Sequence, residues 1–103
     1  MAEASRLTLQ SKLEELLGSK NVYCNPPESE KMGYPAIRYS KKSISVKRAS
    51  NIIHTKKTCY ELTVISRKLD DPVIAKLMEL PYCSYDRYYK ASNLHHDVLT
   101  LYF

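Results

Sequence analysis

The chain has 103 residues, of which 44% are hydrophobic and 26% charged, and its formal net charge is +5. This length predicts a single domain, residues 1–103, with a modest core and no room for a large enclosed active-site cleft. No apolar run approaches the roughly 20 residues of a membrane span, and the N-terminal MAEASRLTLQ lacks the apolar stretch of a secretory signal. We therefore expect a protein of the cytoplasm that has no membrane partner.

The first predicted element is a helix over residues 5–17, which leads into a proline-containing connector. The helix has one apolar stripe with the spacing i, i+4, i+7 and i+8, formed by Leu9, Leu13, Leu16 and Leu17. In the connector, Pro26 and Pro27 fix two successive φ angles and remove two backbone donors, which excludes a helix or a central strand. Because this polar stretch leads through Tyr34 straight into an apolar strand, we predict an ordered recognition element.

Three strands are predicted next, over residues 36–40, 43–49 and 58–66. The first two alternate apolar and polar residues and form a short meander, whereas the third has apolar groups on both faces and is predicted to be central. Residues 50–57 are predicted to be a polar turn region. The adjacent Ile52 and Ile53 in this basic loop are candidates for an exposed contact patch.

Basic residues are concentrated in this part of the chain. The interval between Glu30 and Glu61 has no acidic residue and holds half of the 16 Lys and Arg residues, including Lys47 and Arg48. A strongly positive surface of this kind favours nucleic acid or an acidic protein face as the partner. The alternative is a solvated hairpin whose lysines discourage pairing with the edges of other sheets.

A second helix and two further strands complete the predicted fold. Asp71 is a typical N-cap, Pro72 is a typical first helical residue, and Leu80 and Pro81 end the helix. Residues 82–90 and 94–103 are predicted strands joined across residues 91–93. The order α-β-β-β-α-β-β predicts an α+β domain in which two helices cover one face of a mostly antiparallel sheet of about five strands.

The sequence contains no recognisable catalytic or ligand-binding motif. Its two glycines exclude a glycine-rich phosphate loop, and its three widely spaced cysteines are typical neither of a disulfide framework nor of a zinc site. In the last predicted strand, His95 and Asp97 should point one way and His96 the other, so the two histidines should not share a metal. A nucleophile pair of Cys83 and His95 is conceivable from strand pairing, but no motif lowers the thiol pKa. We therefore predict no enzymatic activity, no cofactor and no metal.

Tyrosine is unusually frequent, with nine residues against one phenylalanine. Four of them crowd one predicted strand, namely Tyr82, Tyr85, Tyr88 and Tyr89. Such side chains suit protein interfaces or, interleaved with basic residues, the stacking of bases. The alternative is structural, with Tyr85 and Tyr89 on a core face and Tyr82 and Tyr88 on the other.

Three stretches together carry a resemblance that covers nearly the whole chain. They are NVYCNPPESEKMGYPAIRY, CYELTVISRKLDDPVIAKLMELPYCSYDRYY and NLHHDVLTLYF. This pattern resembles a family of small tailed-phage proteins encoded among the head and tail morphogenesis genes. It is similar to the tail terminators, also called tail completion or head-to-tail joining proteins, whose α+β fold has the same order of elements.

The resemblance implies a structural protein, a homohexameric ring that caps the tail tube, stops its polymerisation and joins the tail to the head. Such a ring is assembled in the host cytoplasm and stays in the tail and neck of the virion, where genomic DNA passes through its lumen without sequence readout. The implied partners are further copies of the chain, the major tail tube protein and a head connector or stopper protein. The alternatives are a head-side adaptor or stopper of the connector and a small basic nucleic-acid-binding domain.

We predict that nine residues contribute to protein interfaces. Five belong to the connector and four to the basic region, and they are Pro26, Pro27, Glu28, Met32 and Tyr34, with Lys47, Arg48, Ile52 and Ile53. Replacing Ile52 and Ile53 with serine is expected to leave folding intact and to abolish tail joining.

Overall fold

The computed structural model describes the backbone of residues 2–25, 33–49 and 52–103, and the side chains of residues 6–25, 33–44, 46 and 58–103. Its elements, in chain order, are α1 (Ala2–Leu17), β1 (Val22–Cys24), β2 (Ala36–Ala49), β3 (Ile52–Ser66), α2 (Pro72–Met78), β4 (Cys83–Ala91) and β5 (Leu94–Tyr102). These two helices and the mostly antiparallel sheet form an α+β fold, which confirms the predicted class and order of elements.

The five-stranded sheet has the order β1-β2-β3-β5-β4. β1 runs parallel to β2, and the other neighbouring strands are antiparallel. The prediction of a central third strand is confirmed, because Leu62 and Val64 are buried on one face of β3 while Thr63 and Ile65 are buried on the other.

Three local details of the sheet differ from the predictions. Residues 36–40 and 43–49 are not separate strands, because a β-bulge between Lys41 and Ser43 absorbs one extra residue and lets β2 continue. Residues 52–57 are wrongly predicted as part of a turn region, since they belong to β3 and pair with the end of β2. β1 escapes prediction because three residues are too few to show strand alternation.

The core joins both helices to one face of the sheet. Leu9 and Leu13 of α1 are fully buried, and Leu16 and Leu17 pack against the same cluster, which confirms the predicted stripe. Gly18 follows the helix with φ of 81°, a left-handed conformation that glycine adopts without strain.

α2 begins as predicted. Asp71 accepts a hydrogen bond from the backbone N–H of Val73 at 3.0 Å, and Pro72 is the first helical residue. The hydroxyl of Ser66 donates to the other oxygen of the Asp71 carboxylate at 3.2 Å, which ties the start of α2 to the end of β3. Val73 and Leu77 then carry α2 into the core.

A buried polar contact links α1 to the two strands at this side of the sheet. The hydroxyl of Tyr39, whose side chain is fully buried, donates to Oε1 of Gln10 at 2.6 Å. The Nε2 of Gln10 in turn donates to the backbone carbonyl of Val22 at 2.9 Å. Burial raises the pKa of Tyr39, so the phenol keeps the proton that it donates. One glutamine therefore fixes α1 against both β1 and β2.

Replacing Gln10 with leucine should lower the free energy of unfolding by about 1–3 kcal/mol, because the buried hydroxyl of Tyr39 loses its acceptor. Urea unfolding of Gln10→Leu, Tyr39→Phe and the double variant measures this effect. We expect the double variant to lose less than the sum of the single losses, since one interaction is removed twice. Additive losses would show that the two side chains do not depend on each other.

Candidate functional site: a projecting basic arm

β2 and β3 extend well beyond the rest of the sheet. β5 pairs with β3 from Cys59 to Ser66, and Phe103 exchanges two backbone hydrogen bonds with Thr58, at 3.0 and 3.2 Å. β1 pairs with β2 only near its start. Among the described strands, residues 43–49 therefore pair only with β3 and residues 52–57 pair only with β2, and we call these two stretches the arm. At ~3.3 Å per residue the arm projects by roughly 20 Å, in keeping with a molecule that measures 51 × 23 × 23 Å.

Charge is segregated between the arm region and the remainder of the chain. Residues 31–60 hold eight of the 16 basic residues and none of the 11 acidic ones. Everything outside this interval therefore has eight basic and 11 acidic residues and a net charge of −3, against +8 within it. Four of the eight basic residues, Lys47, Arg48, Lys56 and Lys57, lie in the arm, which has no acidic residue.

The arm also presents apolar side chains to solvent. Ile44 is 46% exposed and Val46 is 38% exposed. Ile44 pairs with Thr58, which lies two and four residues along β3 from the buried Tyr60 and Leu62. Because alternate residues share a face, Ile44 continues the face of the sheet that the helices cover nearer the core. A two-stranded ribbon is marginally stable on its own in water, so this apolar face favours a binding partner.

A groove lies at the root of the arm. It has a volume of about 490 Å³ and is formed by Thr8 and Lys12 of α1, by residues 80–82 and by residues 101–103. Phe103 bonds to Thr58, the cross-strand neighbour of Ile44, so the groove and the arm meet at this corner of the sheet. We call this cleft the groove.

The predicted interface residues are distributed over both ends of the sheet and beyond the described part of the chain. Pro26, Pro27, Glu28 and Met32 lie outside the described residues. Lys47, Arg48, Ile52 and Ile53 belong to the arm by their backbone, while their side chains lie outside the described ones.

Tyr34 is half-buried just before β2, at the opposite end of that strand from the arm. The guanidinium of Arg67 lies over its ring, 5.9 Å from the ring centre. Tyr34 and the arm therefore do not form one surface. The sequence did not single out Ile44, Val46 or Phe103, because their alternation is equally typical of buried strand residues.

A second cluster of polar aromatic groups lies between β4 and β5. The hydroxyl of Tyr85 donates to Asp97 at 2.5 Å, Tyr88 is hydrogen-bonded to Nδ1 of His95 at 2.6 Å, and the Tyr89 ring stacks on His96. These contacts confirm that His95 and Asp97 share one face of β5 and that His96 lies on the other.

The alternative prediction that Tyr85 and Tyr89 share a core face of the strand is wrong. A β-bulge between Tyr85 and Arg87 shifts the alternation of β4, so that Tyr85 and Tyr88 share a face and Tyr89 lies on the other. Tyr85 and Tyr88 are 40% and 43% exposed, so the core that buries Leu99 on this face does not extend over β4 at these two positions.

The structure does not bring Cys83 and His95 together as a nucleophile pair. Cys83 pairs with Leu101 and His95 pairs with Lys90, at opposite ends of the ladder, and burial raises the pKa of the Cys83 thiol. The three cysteines form no disulfide. In the described part of the chain, no three His, Cys, Asp or Glu residues lie close enough to hold a metal ion.

The hydrogen bond of Tyr85 should make the free energy of unfolding fall at alkaline pH. Its hydrogen bond to the Asp97 carboxylate raises the pKa of Tyr85 to about 12. The folded state therefore holds this proton more tightly than the unfolded state, whose tyrosine pKa is about 10. We expect the free energy of unfolding to fall as the pH rises from about 10 to about 12, and Tyr85→Phe to flatten this fall. Equal pH slopes for wild type and Tyr85→Phe in urea unfolding would contradict this account.

The chain matches no protein-family model, no curated protein and no solved structure. Neither described helix is long and apolar enough to cross a membrane. The arm, its charge and the adjoining groove are therefore the features from which a function is inferred.

Proposed function

We propose that the protein is a tail terminator of a tailed phage, a ring that closes the end of the tail tube, stops its polymerisation and joins the tail to the head. The resemblance of the three sequence stretches names this class of protein. The arm is the observation that carries the proposal, because a ribbon with exposed apolar residues and no core of its own is suited to binding other subunits.

The mechanism is geometric. A ring with one face complementary to the growing end of the tube and a different opposite face uses up the contact that the next tube subunit needs. Elongation stops because the outer face of the ring does not regenerate that contact. The same outer face then binds the connector of the head, and genomic DNA passes through the lumen.

The arm is expected to contact protein rather than to read DNA. A basic surface that grips phosphates inside a lumen would retard the passage of the genome, whereas the same charge is complementary to an acidic subunit face. A head-side adaptor or stopper would use the same features, and it differs from a terminator in the component that it binds first.

The test uses purified protein and tubes assembled from the major tail tube protein of the same phage. Electron microscopy of the tube ends should show a ring at one end only, and tubes mixed with the protein during growth should stay shorter than controls. If tubes grow to the same length with bare ends, and the protein instead binds isolated connectors, the head-side role replaces the terminator role.

A second candidate, a nucleic-acid-binding domain, is favoured by the charge of the arm region. If it is correct, short duplex DNA should bind with an affinity that falls steeply with salt, and Lys47→Glu with Arg48→Glu should reduce the salt slope by about 2. We expect no binding at physiological salt tighter than the ~10⁻⁴–10⁻⁶ M of non-specific association. Fluorescence anisotropy at several salt concentrations distinguishes the two results.

A further inference from the structure

Two apolar surfaces meet solvent at the same corner of the molecule. One is the arm face with Ile44 and Val46, and the other is the groove, whose rim includes the 37% exposed Phe103. The volume of the groove lies within the ~300–1,000 Å³ of typical binding clefts. A two-stranded ribbon with exposed apolar side chains can bury them in an open apolar cleft.

The arm does not fill the groove of its own molecule. β2 and β3 leave the body past Thr58 as a continuation of the sheet, so their direction carries the arm away from the end of β5. Ile44 and Val46 accordingly remain exposed. An arm that occupies the groove must therefore come from another molecule.

Charge favours a second copy of this chain as that molecule. The interval that contains the arm has a net charge of +8, and all 11 acidic residues lie outside it. The groove lies on the part of the chain that has a net charge of −3, although Lys12 is among the residues that line it. Two exposed carboxylates follow or precede lining residues along the chain: Glu15 is three residues after Lys12 in α1, and Glu79 directly precedes Leu80. Each copy thus has a basic arm with apolar side chains and, on its acidic part, an apolar groove.

We infer that the arm of one copy docks in the groove of the next, with Ile44 and Val46 against the end of β5. This inference rests on the proposed function, because it identifies the contact that joins neighbouring subunits of the ring. The two surfaces differ, so the contact is heterologous and each copy uses its arm once and its groove once. Repetition of such a contact gives a closed ring when the rotation between copies closes.

Two variants separate the arm from the groove. The arm variant carries Ile44→Ser and Val46→Ser, and the groove variant carries Tyr82→Asn and Phe103→Ser. Tyr82 has φ of 61°, a conformation that asparagine tolerates well, so the groove variant should fold. In sedimentation and native mass measurements, each variant alone should assemble at least about tenfold more weakly than wild type.

An equimolar mixture of the two variants is the decisive sample. The arm variant still has a groove and the groove variant still has an arm, so the mixture should form pairs of unlike chains and no larger species. Leu69→Ser is the matched control, because it removes a 56% exposed apolar side chain beyond the opposite end of β3 and should assemble like wild type.

Three results would overturn the inference: wild type that stays monomeric up to about 1 mM, an arm variant that assembles like wild type, or a mixture without unlike pairs. The capping of tube ends, seen by electron microscopy, tests the proposed function separately. If chains assemble through arm and groove but leave tubes uncapped, the proposed function fails and this contact stands. If the arm variant caps tubes as rings like wild type, this contact is wrong and the proposed function stands.

Discussion

The double variant Ile44→Ser/Val46→Ser is expected to fold like wild type and to leave tail tubes uncapped. Both side chains are about half exposed, so their removal costs the isolated chain little. In a contact that buries them, the lost apolar area is worth about 1–2 kcal/mol for each residue, or roughly 100-fold in affinity for the pair. Because a ring repeats the contact at every subunit, this loss should abolish ring formation rather than weaken it.

Tube length and infectivity measure the outcome. Tubes grown with the double variant should be as long as tubes grown without any protein, and particles that carry it should have unjoined heads and tails. Circular dichroism and urea unfolding establish that the variant is folded, and Leu69→Ser serves as the surface control. Normal infectious particles from the double variant would exclude the arm as the assembly element.

The largest expected effect on stability is that of Leu62→Ala. Leu62 is fully buried in the central strand, where it pairs with Tyr39 of β2 and with Leu99 of β5. Truncation should lower the free energy of unfolding by about 2–5 kcal/mol, because a cavity remains between three strands and the helices. This is a large part of the ~5–15 kcal/mol available to a domain of this size.

Leu69→Ala is the matched control for this change. Its side chain is 56% exposed, so the same truncation should cost under about 0.5 kcal/mol. Urea unfolding of the two variants compares a core position with a surface position of identical chemistry. If Leu62→Ala lowers the free energy of unfolding no more than Leu69→Ala does, Leu62 is not packed in the core between β2 and β5.

The helices and the central strand could be predicted because short stretches of their own sequence mark them. Asp71 and Pro72 mark the start of α2 through cap chemistry, and the leucines of α1 mark its buried stripe. Residues 58–66 alternate β-branched and aromatic residues because both of their faces are buried.

The parts that depend on partner strands were not predictable. The arm was assigned in pieces, because residues 43–49 alternate apolar and polar residues like a strand, whereas residues 50–57 are mostly polar and resemble a turn. Bulges near Lys42 and Asp86 each shift the strand alternation by one residue, which merges two predicted strands and reverses the faces of the β4 tyrosines. The sequence locates the positive charge of the candidate site, but the pairing of β2 with β3 is needed to show that the charge lies on a projecting arm.

Hydrogen exchange of the backbone amides tests most directly the claim that the arm is the surface through which this protein assembles. In the monomer, amides of residues 43–49 and 52–57 should exchange fast, since the ribbon has no core, while those of residues 59–66 should be protected. When wild type assembles on itself or on tube ends, we expect strong new protection in the arm and in residues 80–82 and 101–103. Assembly that leaves exchange in the arm unchanged, with new protection elsewhere, would contradict it.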